Sequence, residues 1–195
     1  MLHRTILGCS AAILLLALSG CTGLEPPASA VGTTPAIPDQ IPVGGVPGLE
    51  DGYVSVGETV SLDDDVPAVT NLDPVLRDAL AQAASEATER DVAFTFTDAW
   101  RSEGYQQFLF EQAVVAYGSD EEARRWVKPP DQSQHVLGKA VDVATADAMD
   151  WLTRFGAPYG LCQIYTNEAW HFEYVEGVDG DAVPCPPQLA DSTAG

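Results

Sequence analysis

The first fifty residues split into a short apolar run and a stretch poor in large apolar side chains, and this sets the size of what can fold. Ile6 to Leu18 is a nearly unbroken apolar run behind Arg4, the layout of a removable export leader and too short to span a bilayer as a mature helix. From Thr22 to about Asp51 the chain is rich in Pro, Gly, Ala and Thr, with only isolated Ile, Val and Leu. Such a stretch cannot bury enough surface to offset its ordering entropy, so it reads as a tether. The chain therefore divides into a leader at 1–20, a Cys21-led tether at 21–51 and one domain at 52–190, with no internal repeat.

The cysteines follow the same division. Leu18-Ser19-Gly20-Cys21, directly behind the apolar run, resembles the bacterial lipobox, in which the cysteine becomes the lipidated first residue of the mature protein. Cleavage as an ordinary secretory signal is the alternative, and both imply export. Cys9 leaves with the leader, so Cys162 and Cys185 remain in the domain. Two cysteines in an exported domain most economically pair. Their bridge would stabilise the fold by roughly 3 kcal/mol in the chain-entropy model and pin the Pro-rich "VPCPPQL" beside the segment carrying His171. A zinc–thiolate site is the weaker alternative, because neither cysteine has a partner at ligand spacing.

The formal charge is −20, and −21 once Arg4 leaves with the leader. That field repels nucleic acid and anionic lipid headgroups, so no nucleic-acid partner is expected and membrane contact is expected through the lipid anchor only. Asp63-Asp64-Asp65 and Asp120-Glu121-Glu122 read as solvated turns or helix starts rather than metal sites.

Local patterns sketch an α+β domain. Asp73 as N-cap and Pro74 in the first turn start a helix that ends near Arg90. Alternation over 92–97 predicts a strand that breaks at Asp98. Ser102 caps a second helix to Tyr117, with an apolar stripe of Tyr105, Phe108, Leu109, Gln112, Ala113 and Ala116 and a stop at Gly118. A short helical segment at 121–127, a strand at 140–144, a helix at 146–155 and strands at 161–165 and 170–175 follow. Period-two alternation puts Trp170, Phe172 and Tyr174 on one face and His171, Glu173 and Val175 on the other. It likewise separates Val141 and Val143 from Asp142, whose neighbours Ala140 and Ala144 are small enough to leave room for an ion.

With His3 lost in the leader, the mature chain has two histidines, His135 and His171, so any imidazole pair must use both. Two histidines and a carboxylate with an open fourth position form a catalytic zinc arrangement. Asp142 is the natural carboxylate, since Gly138 lets the chain turn back from the loop bearing His135. Glu168, three residues before His171, is placed to act as general base without being a ligand. Taken alone, a His followed by an Asp at this spacing is common by chance, and each histidine fits an ordinary surface or core position.

The joint pattern discriminates further. Ser133-x-His135-x-x-Gly138-x-Ala140-x-Asp142 together with Glu168-x-Trp170-His171 resembles the D-alanyl-D-alanine carboxypeptidase family of zinc peptidases, its VanY-type members most closely. The likeness extends upstream through "AWRSEGYQQFLFEQAVVAYGSDEEARRW" and covers most of residues 72–176. It implies a hedgehog/DD-peptidase-like fold, a small antiparallel sheet with flanking helices and a zinc site on one sheet face. It further implies zinc on His135, Asp142 and His171, Glu168 as base, Arg101 at the substrate carbonyl or oxyanion, and Ser133 and Gln106 at the peptide terminus. Trp100 stands where the family commonly has Tyr, Lys139 where a neutral residue is usual, and the stretch from Tyr165 to Glu168 is short; these departures bear on substrate preference.

The family resemblance implies removal of terminal D-alanine from peptidoglycan stem peptides; with the lipobox at Cys21, the expectation is a monomeric, lipid-anchored enzyme on the outer face of a bacterial membrane. An L,D-carboxypeptidase acting on tetrapeptide stems is the alternative within the same chemistry. A lipoprotein that binds cell-wall peptide or metal without turnover is the alternative outside it, disfavoured because a binder has no need of a base at Glu168.

Overall fold

In the computed structural model, which describes residues 46–177 and 184–194, the Asp73 carboxylate accepts the Val75 amide at 2.8 Å. With Pro74 in the first turn, the chain runs as a helix over Pro74–Thr88 (α2), after a single turn at Pro67–Thr70 (α1). Leu76, Ala79, Leu80, Ala83 and Ala87 form its buried face. The expected leader, Cys21 and the tether up to residue 45 lie outside the described residues. The end of the stretch read as tether is part of the domain: Leu49–Asp51 form a 3₁₀ turn, and Asp51 accepts both the Ser102 amide at 2.9 Å and its hydroxyl at 2.7 Å.

Four short strands, Phe96–Asp98 (β1), Ala140–Val143 (β2), Leu161–Gln163 (β3) and His171–Tyr174 (β4), form one antiparallel sheet in the order β1-β2-β4-β3. One face carries Phe96, Val141, Val143, Leu161 and Phe172 into a common core with α2 and with Ala148, Trp151 and Leu152 of the helix Ala146–Phe155 (α5). The other face carries Asp142, His171 and Glu173. Hydrophobic burial, about 25 cal/mol per Å², favours the large apolar side chains on the first face, so alternation sends the polar set to the second.

The first strand departs from its sequence expectation. It starts at Phe96 rather than Val92, and its register slips between Phe96, opposite Val143, and Asp98, opposite Asp142. Two residues of β1 thus span one of β2, a bulge that rotates the chain. Phe96 stays in the core while Asp98 turns to the polar face beside Arg101.

The next helix covers Glu103–Tyr117 (α3), with the Ser102 hydroxyl accepting the Tyr105 amide at 3.0 Å and Gly118 ending it at φ 83°. Its buried residues are Tyr105, Gln106, Phe110, Gln112 and Ala113, so the expected stripe is displaced from Phe108 and Leu109. Phe110 and Ala113 instead pack on Ala123 of the short helix Asp120–Ala123 (α4). Both acidic runs are structural: Asp64 accepts the Ser61 amide at 2.6 Å, and Asp120 to Glu122 open α4 behind the Ser119 cap.

Gly138 sits at φ 67°, and a Cβ there would lie 2.7 Å from the Asn71 carbonyl oxygen and the Asp73 amide nitrogen. Its own carbonyl accepts the Asp73 amide at 3.0 Å. The turn between His135 and β2 is thereby locked to the start of α2. Cys162 and Cys185 are bridged, with Cα atoms 5.5 Å apart.

Candidate metal centre

The two central strands bring Asp142 and His171 directly opposite each other, and the loop before β2 brings His135 over them. His135 Nε2 lies 3.1 Å from His171 Nδ1 and 3.4 Å from Asp142 Oδ1; His171 Nδ1 lies 3.1 Å from the same Oδ1. All three residues are buried, and one ligand atom from each falls within 4.8 Å of the others. Among the described residues this is the one cluster of histidines, cysteines and carboxylates with that geometry.

The outward atoms decide what the inward ones can do. His135 Nδ1 is 2.7 Å from the Ala99 carbonyl, which can only accept, so Nδ1 carries the proton and Nε2 presents a lone pair. His171 Nε2 is 3.1 Å from Glu173 Oε1, which directs its Nδ1 lone pair to the same point. Two lone pairs and a carboxylate oxygen at 3.1–3.4 Å require a cation between them, whether a proton or a metal ion. Without a metal, burial disfavours a charged His171, but hydrogen bonds to Asp142 and Glu173 outweigh it and push its pKa up to about 9. Burial likewise opposes ionisation of Asp142, yet His135, His171 and Arg101 hold its carboxyl well below the usual range. Two imidazole nitrogens and a carboxylate oxygen converging on one point supply the donors for a divalent ion, and zinc suits two nitrogens and one oxygen.

Arg101 braces the carboxylate from behind. Its Nη2 donates to Asp142 Oδ2 at 3.0 Å, its Nε lies 2.9 Å from Asp98 Oδ1, and its Nη1 donates to Gln106 Oε1 at 2.9 Å. Burial penalises this guanidinium, and the Asp98 and Asp142 charges more than compensate, so it stays charged. Two of the five N–H groups of an arginine are thus in hydrogen bonds, while the close Nε–Asp98 approach is an ion pair without hydrogen-bond geometry. Gln106, expected at the peptide terminus, is 1% exposed, and its Nε2 donates to the Lys128 carbonyl at 2.7 Å. It braces Arg101, because the buried face of α3 turns it inward. Ser133 is buried two residues before His135, in the same loop.

Glu168 occupies the turn before β4, its carbonyl accepting the His171 amide at 3.2 Å. It is buried, lies outside the ligand cluster, and its Oε1 has no hydrogen-bond partner among the described residues. Burial raises its pKa, with the Asp142 charge adding and the His171 and Arg101 charges opposing, to about 7. The result is a carboxyl poised near neutrality beside three converging ligand atoms.

Two site residues escaped the sequence reading as functional groups. Glu173 was legible, since it shares the face of His171 by strand alternation. Asp98 carried no signal, because only the bulge in β1 turns it toward Arg101. Tyr165 closes the side of the site, its ring stacked on His171 at 5.4 Å, with the Lys128 ammonium 5.4 Å above it.

Residues 70–177 match the family model of VanY, D-alanyl-D-alanine carboxypeptidase. The chain belongs to that family. Within the VanY family, a solved complex of VanYB with D-alanine-D-alanine is 22% identical over 60% of this chain and 77% of that one, with a TM-score of 0.51. A VanY D,D-pentapeptidase mutant from a VanB-type vancomycin-resistance cassette, solved with Zn(II), is 22% identical over 60% of this chain and 78% of that one, with a TM-score of 0.50. The LdcB LD-carboxypeptidase structure is 23% identical with a TM-score of 0.47, and the alignment covers 53% of this chain but only 59% of LdcB. No curated protein matches the chain.

Proposed function

We propose that this VanY-family chain is a zinc-dependent carboxypeptidase that hydrolyses the terminal D-alanine from peptidoglycan stem peptides. The observation that carries the reading is the convergence of His135 Nε2, Asp142 Oδ1 and His171 Nδ1 beside a separate, buried Glu168 poised near neutrality. A binder needs the ligands, whereas turnover also needs the base. That a VanYB structure holds D-alanine-D-alanine supports a terminal D-Ala-D-Ala unit as the recognised group.

Zinc held by the three ligands would supply Lewis acidity, lowering the pKa of water and polarising the scissile carbonyl. Glu168 accepts a proton from the attacking water as its oxygen bonds to the carbonyl carbon. It returns that proton to the amide nitrogen as the carbon–nitrogen bond breaks, releasing D-alanine and leaving a stem with a new carboxylate. Arg101 fixes Asp142 and keeps the second N–H of Nη1 and of Nη2 for the developing oxyanion, and Ser133, in the loop before His135, would help position the peptide terminus. The negative charge of the chain argues against nucleic-acid partners. Export and lipid attachment at Cys21 would hold the enzyme, as a monomer, at the outer membrane face near its substrate.

The test is D-alanine release from pentapeptide and tetrapeptide stems by the zinc-loaded protein. Release from the pentapeptide supports the proposal, release from the tetrapeptide alone makes it an L,D-carboxypeptidase, and release from neither overturns it. Cys21→Ala should move the protein from the membrane to the soluble fraction; unchanged fractionation removes the anchor.

A further inference from the structure

Residues 184–194 lie beyond the stretch that matches the family, 70–177, yet they are bonded to the loop that carries Glu168. Leu189 donates its amide to the Ile164 carbonyl at 2.9 Å and accepts the Thr166 amide at 2.9 Å, pairing in parallel with Tyr165. The Thr166 hydroxyl donates to the Ala190 carbonyl at 3.1 Å. Cys185 is bridged to Cys162, and Leu189 and Cys185 pack on Cys162, Ile164 and Tyr165. The strap is thus held to one side of the loop by three hydrogen bonds, a covalent link and apolar contact.

The same strap reaches the opposite wall. Asp191 is buried and accepts Arg125 Nε at 3.0 Å, and the Ser192 hydroxyl donates to the Arg124 carbonyl. Asn167, between Thr166 and Glu168, donates its Nδ2 to the Arg125 carbonyl at 3.0 Å. The loop, the strap and the segment after α4 therefore close a ring of contacts, and Glu168 projects from that ring.

This matters because, among the described residues, no hydrogen-bond partner of Oε1 aims the Glu168 side chain. A base without such a partner takes its direction from its backbone, and a misplacement of 1 Å can cost a rate of about 10²-fold. We infer that the C-terminal strap, pinned by Cys162–Cys185 and by Asp191–Arg125, is a positioning element that aims the Glu168 carboxylate. The inference rests on the reading of Glu168 as the base, and it makes Asp191 and Cys185 positioning residues that touch no substrate.

The test compares Asp191→Asn and the paired Cys162→Ser/Cys185→Ser, each in the wild-type and the Glu168→Gln background, by steady-state kinetics, zinc content and hydrogen exchange of the full domain. Asp191→Asn should lower kcat by about tenfold, within the range for a misplaced catalytic group, with KM and zinc content unchanged. Amide exchange at Thr166 and Leu189 should accelerate. In the Glu168→Gln background the same substitution should cost nothing more, because the strap acts through the base it positions. An unchanged kcat in folded Asp191→Asn, or an equal loss with and without Glu168, would overturn the inference. Wild-type protein that cleaves no stem peptide would overturn the catalytic reading instead, and unaltered exchange at Thr166 would remove the strap's hold on the loop in either case. Should the cysteine variant fail to fold, Asp191→Asn decides alone.

Discussion

Glu173 Oε1 and His171 Nε2 lie 3.1 Å apart on the same face of β4, so the carboxylate fixes which imidazole nitrogen faces the candidate metal centre. The ring offers Nδ1 inward because Nε2 is occupied. Outer partners of this kind raise ligand basicity and hold ring orientation, and losing one typically lowers metal affinity by about 10- to 100-fold. Glu173→Gln should therefore weaken zinc binding by that order while the fold persists. Competition with a chelator of known affinity measures it, and unaltered affinity would show that Glu173 merely lies nearby.

Glu168→Gln keeps the side chain's shape and removes its basicity. It should lower kcat by about 10²- to 10⁴-fold, the span of general acid–base groups, with zinc content unchanged. Loss of metal instead of rate would place Glu168 among the ligands. Zinc analysis and a D-alanine release assay on one sample separate the two results.

The pH profile follows from the raised pKa of Glu168, about 7 without a metal. The base is active only when ionised, so kcat/KM should fall as pH drops through that pKa. A bound dication favours the ionised carboxylate, which moves the acid limb below 7 rather than above it. A rate–pH series should show that limb in the wild type, and Glu168→Gln should lack it; a limb that survives in the variant belongs to another group.

Gly138→Ala tests the turn that links the first ligand to the second. At φ 67° and with a Cβ 2.7 Å from the Asn71 oxygen and the Asp73 nitrogen, alanine combines backbone strain with collision against backbone that cannot swing aside. The strain costs on the order of 1–3 kcal/mol, and the collision adds to it. The expected result is a lower Tm together with weaker zinc binding, since the turn sets His135 against Asp142. Thermal melting with and without zinc checks both.

Local sequence was sufficient wherever the governing physics is local. Helix α5 runs over the predicted 146–155, and the caps at Asp73, Ser102 and Gly118 act where the chain pattern places them, because capping depends on neighbours within four residues. Alternation alone predicted that Asp142 and His171 would leave the core face while Val141 and Phe172 entered it. The scarcity of histidine then reduced the candidate ligands to one set.

Tertiary structure decided what depends on residues far apart in the chain. The bulge in β1 is a mismatch with β2, more than forty residues away, and it turns Asp98 onto Arg101 where an unbroken alternation would not. Gln106 is placed near the peptide terminus only by family resemblance, and the packing of α3, not local sequence, buries it between Arg101 and the Lys128 carbonyl. The choice of imidazole nitrogen rests on Ala99 for His135 and on Glu173 for His171. Sequence determined which residues could form the centre, since side-chain chemistry and strand period are local; the fold decided which atoms of those residues meet, since that is set by cross-strand register and by the packing of the chain against itself.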